Sequence, residues 1–298
     1  MGSNFELVAI HPNEELRKSA ISSAISEIKR IESLISSWNP DSETTKINRA
    51  AGVKPVHIST ELFDLIERAI KVSKLTDGAF DLTFNSSDDI WNFDQRIMDV
   101  PDSNVVAASV RKIDYRKIIL NRNNQTAFLE LKGMKIGFGA IGKGYAANRA
   151  KKIMTDHGIE SGMVNAGGDV ISWGHMAGGD PWQIGIADPS KEKKYIAWLN
   201  ISDLSVVTSG NYEKFVTING RKYGHIINPK TGWPVEGIQS VTLVSPDAEL
   251  SDALSTSVFV LGVNKGLELV NRLKNVECLI IDDNNKIWTS RQLLLNYY

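Results

Sequence analysis

The chain has 298 residues, of which 42% are hydrophobic and 23% are charged, and its formal net charge at pH 7 is −1. This length and composition predict a soluble globular protein with one large domain or two modest ones. The near-neutral charge gives no broad basic field, so we expect no nucleic-acid partner. No run of about 18 apolar residues predicts a membrane span. The lone Cys278 lies in an apolar run and is expected to be a buried core residue.

Hydrophobic periodicity and turn residues predict the elements of the first half of the chain. In order, they are a strand over 5–10, a helix from Asn13 to Pro40, a helix capped by Ser59 and Thr60 that ends at the Asp77-Gly78 turn, an irregular polar stretch over 86–102, a short helix over 103–112, and a hairpin of strands over 115–120 and 126–131.

The second half is richer in predicted strands. In order, we expect a helix over 140–157, strands over 162–165, 169–173, 182–187, 196–201, 205–209, 215–218, 223–228 and 240–245, helices over 250–261 and 265–274, and strands over 277–282 and 286–289. This order, without repeats or a clear linker, predicts an α+β fold of mixed sheets with flanking helices. We expect a single domain over 1–298, or two closely packed subdomains.

A glycine-rich segment, Gly137-Phe-Gly-Ala-Ile-Gly-Lys-Gly144, leads into the predicted helix at 140. Such a turn brings backbone amides up to a phosphate group, or lets a helix pack closely on a sheet. It is not a Walker A loop, because Gly144 follows Lys143 where Ser or Thr is required. It is not a Rossmann turn either, because the region twenty residues on is helical and not part of a βαβ unit. Phosphate binding and close packing both fit the segment.

Two further segments carry groups suited to chemistry. His225 precedes the turn Asn228-Pro-Lys-Thr-Gly232, so it is either a catalytic group near a loop or a strand histidine bonded to a carbonyl. Asp252 and Thr256 are four residues apart, which places a carboxylate and a hydroxyl on one face of a helix. They are either ligands of a hard cation such as Mg²⁺ or an ordinary capped helix start. A base, an oxygen-donor site and a phosphate cradle together indicate cutting or transfer of a phosphoryl group.

Several more segments extend this pattern along the chain. They are Met1-Gly2-Ser3, Ser36-Ser-Trp38-Asn-Pro40-Asp-Ser42 with Asn48, Asp77-Gly-Ala-Phe-Asp81-Leu-Thr83, Asn165-Ala-Gly-Gly168-Asp169 and Thr208-Ser-Gly210-Asn-Tyr212. Each is weak alone, but together and in this order they resemble the ApbE family of FAD:protein FMN transferases almost from end to end. The resemblance implies an ApbE-like, T-fold-related architecture.

The resemblance also implies roles for individual residues. A cation is expected at the Ala140 carbonyl and at the side chains of Asp252 and Thr256, with His225 and Lys143 as catalytic groups. The residues expected to contact FAD are Met1, Trp38, Asp77, Asp81, Thr83, Lys143, Asn165, Gly167, Asp169 and His225. Trp38 stands where the family often has Tyr and is expected to stack on the flavin ring, the alternative being a buried tryptophan at a helix end. Asp77, Asp81 and Thr83 either bind the ribityl or adenosine portion or pin a turn.

The function that the resemblance implies is the magnesium-dependent transfer of FMN from FAD to a threonine or serine hydroxyl of an acceptor flavoprotein. A phosphoester bond forms and AMP is released. The alternatives are a metal-dependent FAD pyrophosphatase, which gives FMN and AMP, and a non-catalytic FAD carrier. A carrier has no reason to group a base, a carboxylate and a hydroxyl.

The family's acceptors carry a short Asp-Gly-Ala-Thr-like sequence in membrane-bound redox subunits, such as those of NADH:quinone oxidoreductase or Rnf complexes. Family members are often exported or anchored to lipid, so an extracytoplasmic or periplasmic, membrane-associated full-length protein is expected. The chain itself shows no signal peptide or lipid-anchor motif before Ser3.

Two positions depart from the family pattern. Gly137 stands where the family usually has Asp, so we expect weaker cation binding unless a neighbour replaces that carboxylate. Asn228 stands where the family usually has Asp in His-Ile-Ile-Asp-Pro, which reduces the expected electrostatic support for a protonated His225.

Overall fold

The computed structural model describes residues 3–91, 93, 99–191, 194–212 and 214–297. The described helices are α1 (Glu14–Ile35), α2 (Glu43–Arg49), α3 (Thr60–Leu75), α4 (Ser103–Ser109), α5 (Gly142–Asp156) and α6 (Ala248–Val270), with 3-10 helices at Leu82–Trp91, Val110–Lys112 and Tyr115–Lys117. The described strands are β1 (Phe5–Ile10), β2 (Val56–His57), β3 (Ile118–Asn121), β4 (Thr126–Leu129), β5 (Ser161–Ala166), β6 (Asp169–Trp173), β7 (Trp182–Ala187), β8 (Tyr195–Ile201), β9 (Ser205–Gly210), β10 (Phe215–Ile218), β11 (Arg221–Gly224), β12 (Ile238–Ser245), β13 (Glu277–Asp282), β14 (Ile287–Thr289) and β15 (Asn296–Tyr297).

These strands pair antiparallel in every ladder that the structure describes. The largest sheet has seven strands in the order β1-β5-β6-β9-β12-β13-β14. Two three-stranded sheets have the orders β15-β8-β7 and β2-β4-β3, and β10 and β11 form a two-stranded ribbon. The predicted α+β class with flanking helices is confirmed.

The chain divides into two compact units. The first unit comprises Met1–Glu32, Ala140–Gly210 and Gly237–Tyr298, and the second comprises Ser33–Gly139 and Asn211–Glu236. In the first unit, α5 packs against α6 and against β5, while α6 also packs against β9 and β12. The alanines Ala147 and Ala150 on the buried face of α5 leave room for this close packing in a core that includes Met154 and Val164.

The helix α6 is the longest in the described part of the chain, and a kink divides it. Gly262 has φ 75° and ψ 178°, a conformation that glycine adopts without the steric cost that other residues meet. The predicted separation into two helices near this residue is therefore confirmed. By length and composition α6 is apolar enough to cross a membrane, contrary to the expectation from the sequence, yet half of its most apolar window is buried inside the protein. The core helix of a soluble protein can have the same length and apolar composition.

The second unit is organised around α3, which begins at the predicted cap. The Ser59 side chain accepts a hydrogen bond from the Leu62 amide, and the Glu43 carboxylate accepts bonds from the Ser59 amide and hydroxyl at 2.8 and 2.9 Å. The buried face of α3 includes Phe63 and Leu65. The bonds between Glu43 and Ser59 hold the starts of α2 and α3 together, and α2 also packs against β4.

Some predicted boundaries were wrong. The strand expected over 223–228 ends at Gly224, and beyond it only Ile227 makes a single bridge, to Pro234. The short elements α2, β2 and β15 were not predicted. In the stretch expected to be irregular, a 3-10 helix reaches Trp91, and residues 92 and 94–98 lie outside the described part. Cys278 is fully buried in β13, as predicted, and burial raises the pKa of its thiol to about 12.

Candidate functional site

In the first unit, the amino end of α5 meets a carboxylate from α6. The Gly144 amide donates a hydrogen bond to Asp252 Oδ2 at 2.9 Å, and the Lys143 amide also donates to this carboxylate. Gly144 is required here by space, because a Cβ atom would lie 2.1 Å from the Ala248 carbonyl oxygen. The glycine-rich segment therefore does allow close packing of α5, which at Gly144 is against α6 and not against a strand. Ala140 directly precedes Ile141, the N-cap residue of α5.

Further charged side chains lie at the amino end of α5. Lys143 Nζ lies 2.5 Å from Asp169 Oδ2, and the two carboxylates of Asp169 and Asp252 are 2% and 3% exposed. Burial, followed by the negative charge of Asp169, raises the pKa of Asp252 to about 7. Burial also raises the pKa of Asp169, against the opposing effect of Lys143. We call Lys143, Asp169 and Asp252 the acid cluster; when both carboxylates are ionised, the single ammonium group of Lys143 balances only one of them.

Thr256 lies one helical turn beyond Asp252, as predicted, and is partly buried. Asp252 is not the cap of its own helix, since Asp247 accepts the hydrogen bond from the Leu250 amide in that position. The interpretation of Asp252 as an ordinary helix start was therefore wrong. Asp252 and Thr256 offer carboxylate and hydroxyl oxygens, which fit a hard divalent cation. Among the described residues, no three His, Cys, Asp or Glu side chains gather as a ligand group.

The second unit contains an aromatic cavity of about 430 Å³. Its lining includes Trp38, Phe84, Trp91, Phe93 and His225. Trp38 is 88% exposed, which rules out the alternative of a buried core tryptophan. Trp91 is fixed by its indole N–H, which donates to the Gly232 carbonyl at 2.9 Å. The volume lies within the range of small-molecule sites, and flat aromatic walls suit a flavin ring.

His225 lines this cavity just beyond the end of β11. Its backbone amide and its Nδ1 atom both contact the Lys214 carbonyl oxygen at 3.0 Å. A carbonyl only accepts, so Nδ1 carries the hydrogen in this contact and Nε2 is the basic nitrogen of the neutral ring. The Phe93 ring meets the imidazole edge to face at 6.5 Å between centroids. The contact with the Lys214 carbonyl is the one expected of a histidine with a purely structural role. It fits a catalytic role as well, because it fixes the orientation of a base that lines the cavity.

The other predicted polar contacts in the second unit are engaged in local structure. Asp81 accepts bonds from the Thr83 amide and hydroxyl at 2.8 and 2.7 Å and from the Tyr115 amide at 3.0 Å. Burial raises the pKa of Asp81. Asp77 has φ 49° and pairs with Lys230 at 2.6 Å. Asp81 and Thr83 thus pin a turn, while Asp77 and Asp81 also line a separate cavity of about 350 Å³.

In the first unit, Asn165 lies near the end of β5 and Gly167 lies in the turn between β5 and β6. Asn165 Oδ1 accepts from the Gly168 amide at 2.8 Å and its amide group donates to Glu6 at 3.0 Å. Gly167 has φ 65°. The turn leads directly into Asp169 of the acid cluster. Met1, the remaining predicted FAD contact, lies outside the described residues.

Comparison with known proteins identifies the family of the chain. The model of the family described as "ApbE family" matches residues 1–280. A FAD:protein FMN transferase of Klebsiella pneumoniae (strain 342) is 32% identical, over 91% of this chain and 84% of that protein. The chain belongs to the ApbE family. An enzyme of the same name from Treponema pallidum is 30% identical, over 91% of this chain and 79% of that one.

Solved ApbE structures share the whole fold. The ApbE protein of Thermotoga maritima superposes with a TM-score of 0.89 at 30% identity, covering 97% of this chain and 94% of that one. The flavin transferase ApbE of Vibrio cholerae gives a TM-score of 0.84 at 24% identity and the same coverage, which supports the fold.

The structure shows what surrounds Gly137 and Asn228, the two residues of the second unit that depart from the ApbE pattern. A Cβ atom on Gly137 would lie 2.2 Å from Asn85 Nδ2, so the Asn85 amide fills the space that an aspartate at 137 would need. Asn228 Oδ1 accepts from the Lys230 amide at 2.9 Å, a turn contact that an aspartate would also make. The sequence motif with Asn48 is explained as well, since its amide group bonds both the N–H and the C=O of Ile136.

Several cavity residues were not predicted. Phe84, Trp91 and Phe93 line the aromatic cavity, together with Arg49 and Lys135. Their signal was the recurrence of aromatic residues in a polar segment that lacks helical or strand periodicity. The pairing of Lys143 with Asp169 was not predicted either, because the two residues lie on different elements, α5 and β6, and no local pattern links them.

Proposed function

We propose that this protein is a magnesium-dependent FAD:protein FMN transferase that moves FMN from FAD onto a threonine or serine hydroxyl of another protein. Family membership supports the transferase class. The observation that carries the proposal is the acid cluster, in which Asp252 is buried beside a second carboxylate at a helix amino end and one turn before Thr256. Burying two carboxylates beside one lysine is costly, and a divalent cation offsets that cost.

In this proposal Asp252, Thr256 and the Ala140 carbonyl hold Mg²⁺, which when bound supplies charge withdrawal at the pyrophosphate of FAD. Lys143 neutralises a phosphate oxygen, and its pairing with Asp169 limits the conformations of its long side chain. The amino end of α5 adds the positive end of its dipole, which favours phosphate.

His225 acts as the general base. Its Nε2 atom accepts the proton of the acceptor hydroxyl while that oxygen forms a bond to the phosphorus of the FMN moiety. The bond between this phosphorus and the bridging oxygen of the pyrophosphate breaks, and AMP departs with that oxygen. The Lys214 carbonyl keeps Nδ1 protonated, so that Nε2 is the nitrogen able to take the proton.

The flavin ring is assigned to the aromatic cavity, with Trp38 stacking on it. Because the phosphates add contacts that the ring lacks, we expect the protein to bind FAD in preference to FMN and riboflavin. Equal affinities for all three in a titration would favour a plain flavin carrier.

The acceptor proposed is a membrane-bound redox subunit with an Asp-Gly-Ala-Thr-like segment, of the NADH:quinone oxidoreductase or Rnf type. The proposed location is accordingly extracytoplasmic or periplasmic and membrane-associated. Both proposals follow the family resemblance.

The test is to incubate the protein with FAD, Mg²⁺ and an acceptor domain, and to look for flavin fluorescence on the acceptor after denaturing electrophoresis. The matched control is the same acceptor with its threonine replaced by valine. Labelling of the threonine acceptor alone, with one AMP per flavin attached, is the expected result. Release of FMN and AMP without labelling would show a pyrophosphatase, and no AMP at all would leave a carrier.

A further inference from the structure

A double row of hydroxyl groups joins β9 to α6 in the first unit. Ser205 Oγ contacts Ser251 Oγ at 2.9 Å, and four residues farther along both elements Ser209 Oγ contacts Ser255 Oγ at 2.8 Å. Ser205, Ser251 and Ser255 are fully buried. Only the second pair reaches the proposed cation site, because Ser209 Oγ also lies 3.4 Å from Thr256 Oγ1.

Counting protons fixes the direction of the bonds in this second pair. Each hydroxyl has a single hydrogen. The Ser255 hydroxyl donates to the Asp252 carbonyl at 2.9 Å, so it accepts in its contact with Ser209. Ser209 has then used its own hydrogen on Ser255. The contact between Ser209 and Thr256 is consequently one in which Thr256 donates.

We propose that Ser209 is a positioning residue of the cation site, which takes the hydroxyl hydrogen of Thr256 and so leaves the lone pairs of Thr256 Oγ1 directed at the cation. A hydroxyl coordinates a cation through its oxygen lone pairs, and a hydrogen turned toward the cation would repel it. The bonded sequence from Thr256 through Ser209 and Ser255 to the Asp252 carbonyl thus presets the ligand. This inference rests on the proposed role of Thr256 in binding Mg²⁺.

The experiment measures the dissociation constant of MgCl₂ by calorimetric titration of the purified, flavin-free protein. Ser209→Ala removes the acceptor for the Thr256 hydrogen, and we expect magnesium binding to weaken by roughly tenfold, the low end of the range for such outer contacts. Ser209→Thr keeps the hydroxyl and should restore binding to within a few fold. The matched control is Ser205→Ala, which removes the equivalent hydroxyl pair that does not reach Thr256 and should leave the constant unchanged.

Two further variants keep the test decisive. Ser255→Ala leaves Ser209 without its acceptor and frees its hydrogen to point at Thr256, so it should also weaken binding; it replaces Ser209→Ala if that variant does not fold. In a Thr256→Val background, Ser209→Ala should have no additional effect.

The outcomes separate this inference from the proposed function. If wild type binds magnesium and needs it for transfer, while Ser209→Ala and Ser255→Ala bind it as tightly as Ser205→Ala, the positioning role is overturned and the transferase stands. If wild type neither binds magnesium nor needs it, the cation site and the role of Ser209 fall together.

Discussion

The acid cluster and the aromatic cavity differ in how completely the protein itself encloses them. Asp252 is 3% exposed and is held by backbone amides at the start of α5, whereas Trp38 is 88% exposed and its backbone amide donates to Ser36 Oγ at 3.2 Å. Charged groups need a low-dielectric, fully bonded setting if their protonation and cation affinity are to be controlled. A flat ring that stacks on a ligand can stay exposed, because the ligand covers it.

This contrast predicts that substitutions at the acid cluster disturb both folding and chemistry, and that those at the aromatic cavity disturb only ligand binding or catalysis. His225 provides the sharpest case. His225→Ala should slow FMN transfer by roughly a hundredfold or more, as expected on losing a general base, with FAD binding within a few fold of wild type. Steady-state transfer rates and flavin titration measure the two effects. His57→Ala, an exposed histidine of the same unit, should change neither. A normal transfer rate, or a variant that does not fold, would make His225 a bystander or a core residue.

Unlike His225→Ala, the variant Gly144→Ala should destabilise the folded protein. The added Cβ would lie 2.1 Å from a backbone oxygen of α6, so the two helices must separate. We expect a loss of about 1–3 kcal/mol in unfolding free energy, measured by denaturant titration, together with weaker magnesium binding. Gly139→Ala is the matched control, because nothing lies within 4 Å of its Cβ position. Equal stability of the two variants would contradict the close packing described for Gly144.

The order of effects within the cation site is also predicted. Asp252→Asn removes a charge and should raise the magnesium concentration for half-maximal transfer by roughly 10–100-fold, whereas Thr256→Val removes a neutral ligand and should raise it by about fivefold. Without a cation, the Asp252 charge repels the pyrophosphate. EDTA should therefore weaken FAD binding in wild type and do so much less in Asp252→Asn. Identical magnesium curves for all three proteins would refute the cation site.

Trp38→Ala tests the aromatic cavity, the more exposed of the two sites. Stacking on the flavin is worth about 0.5–1.5 kcal/mol, so FAD, FMN and riboflavin should all bind roughly two- to tenfold more weakly. Stability should be unchanged because the side chain is 88% exposed. Val53→Ala, at another exposed position of the same unit, serves as the control in flavin titration. A large drop in thermal stability would mean that Trp38 supports the fold after all.

The last prediction concerns the support of α5 and not the sites themselves. Hydrogen bonds from Arg30, and then from Arg149 of α5, lower the pKa of Glu27 to about 2, against the effect of its burial. A lowered pKa means that the stabilisation is fully present above the ordinary value of 4.5 and is lost as the pH falls toward 2. Glu27→Gln should cost about 1–2 kcal/mol at pH 7 and much less near pH 2, by denaturant titration. Glu14→Gln, in an exposed pair with Lys18, should change little at either pH. A pH-independent difference for Glu27→Gln would count against the ion pair.

The sequence predicted what local patterns determine. The long helix α1, the cap at Ser59, the β5–β6 turn and the break near Gly262 were all recognisable because periodicity, capping or glycine marks them. The short helix α2 was missed, since its seven residues contain a single large apolar side chain, Ile47. The strand expected through His225 ended early because backbone pairing with β10 stops at Gly224.

In the candidate site, too, the features set by local patterns were predicted and those set by contacts distant in sequence were not. The spacing of Asp252 and Thr256 is a helical property and was predicted correctly. Asp169, which raises the pKa of Asp252, lies on β6, and the groups of Lys143 and Gly144 that oppose this rise lie on α5; sequence separation hides such contacts. Likewise, the hydroxyl groups of Ser209 and Ser255 look unremarkable in a strand and a helix until their bonding partners are known.

The buried Cys278 makes the protein convenient for spectroscopy. It is the single cysteine of the chain, it is fully enclosed in β13, and a thiol with a pKa of about 12 is almost entirely protonated at neutral pH. Because the thiolate is the nucleophile that attacks maleimides and thiol-specific nitroxide reagents, the native protein should stay unlabelled while folded. One cysteine introduced on an exposed position such as Val53 would then carry a fluorophore or spin label at a unique site, with no need to remove the natural residue from the core.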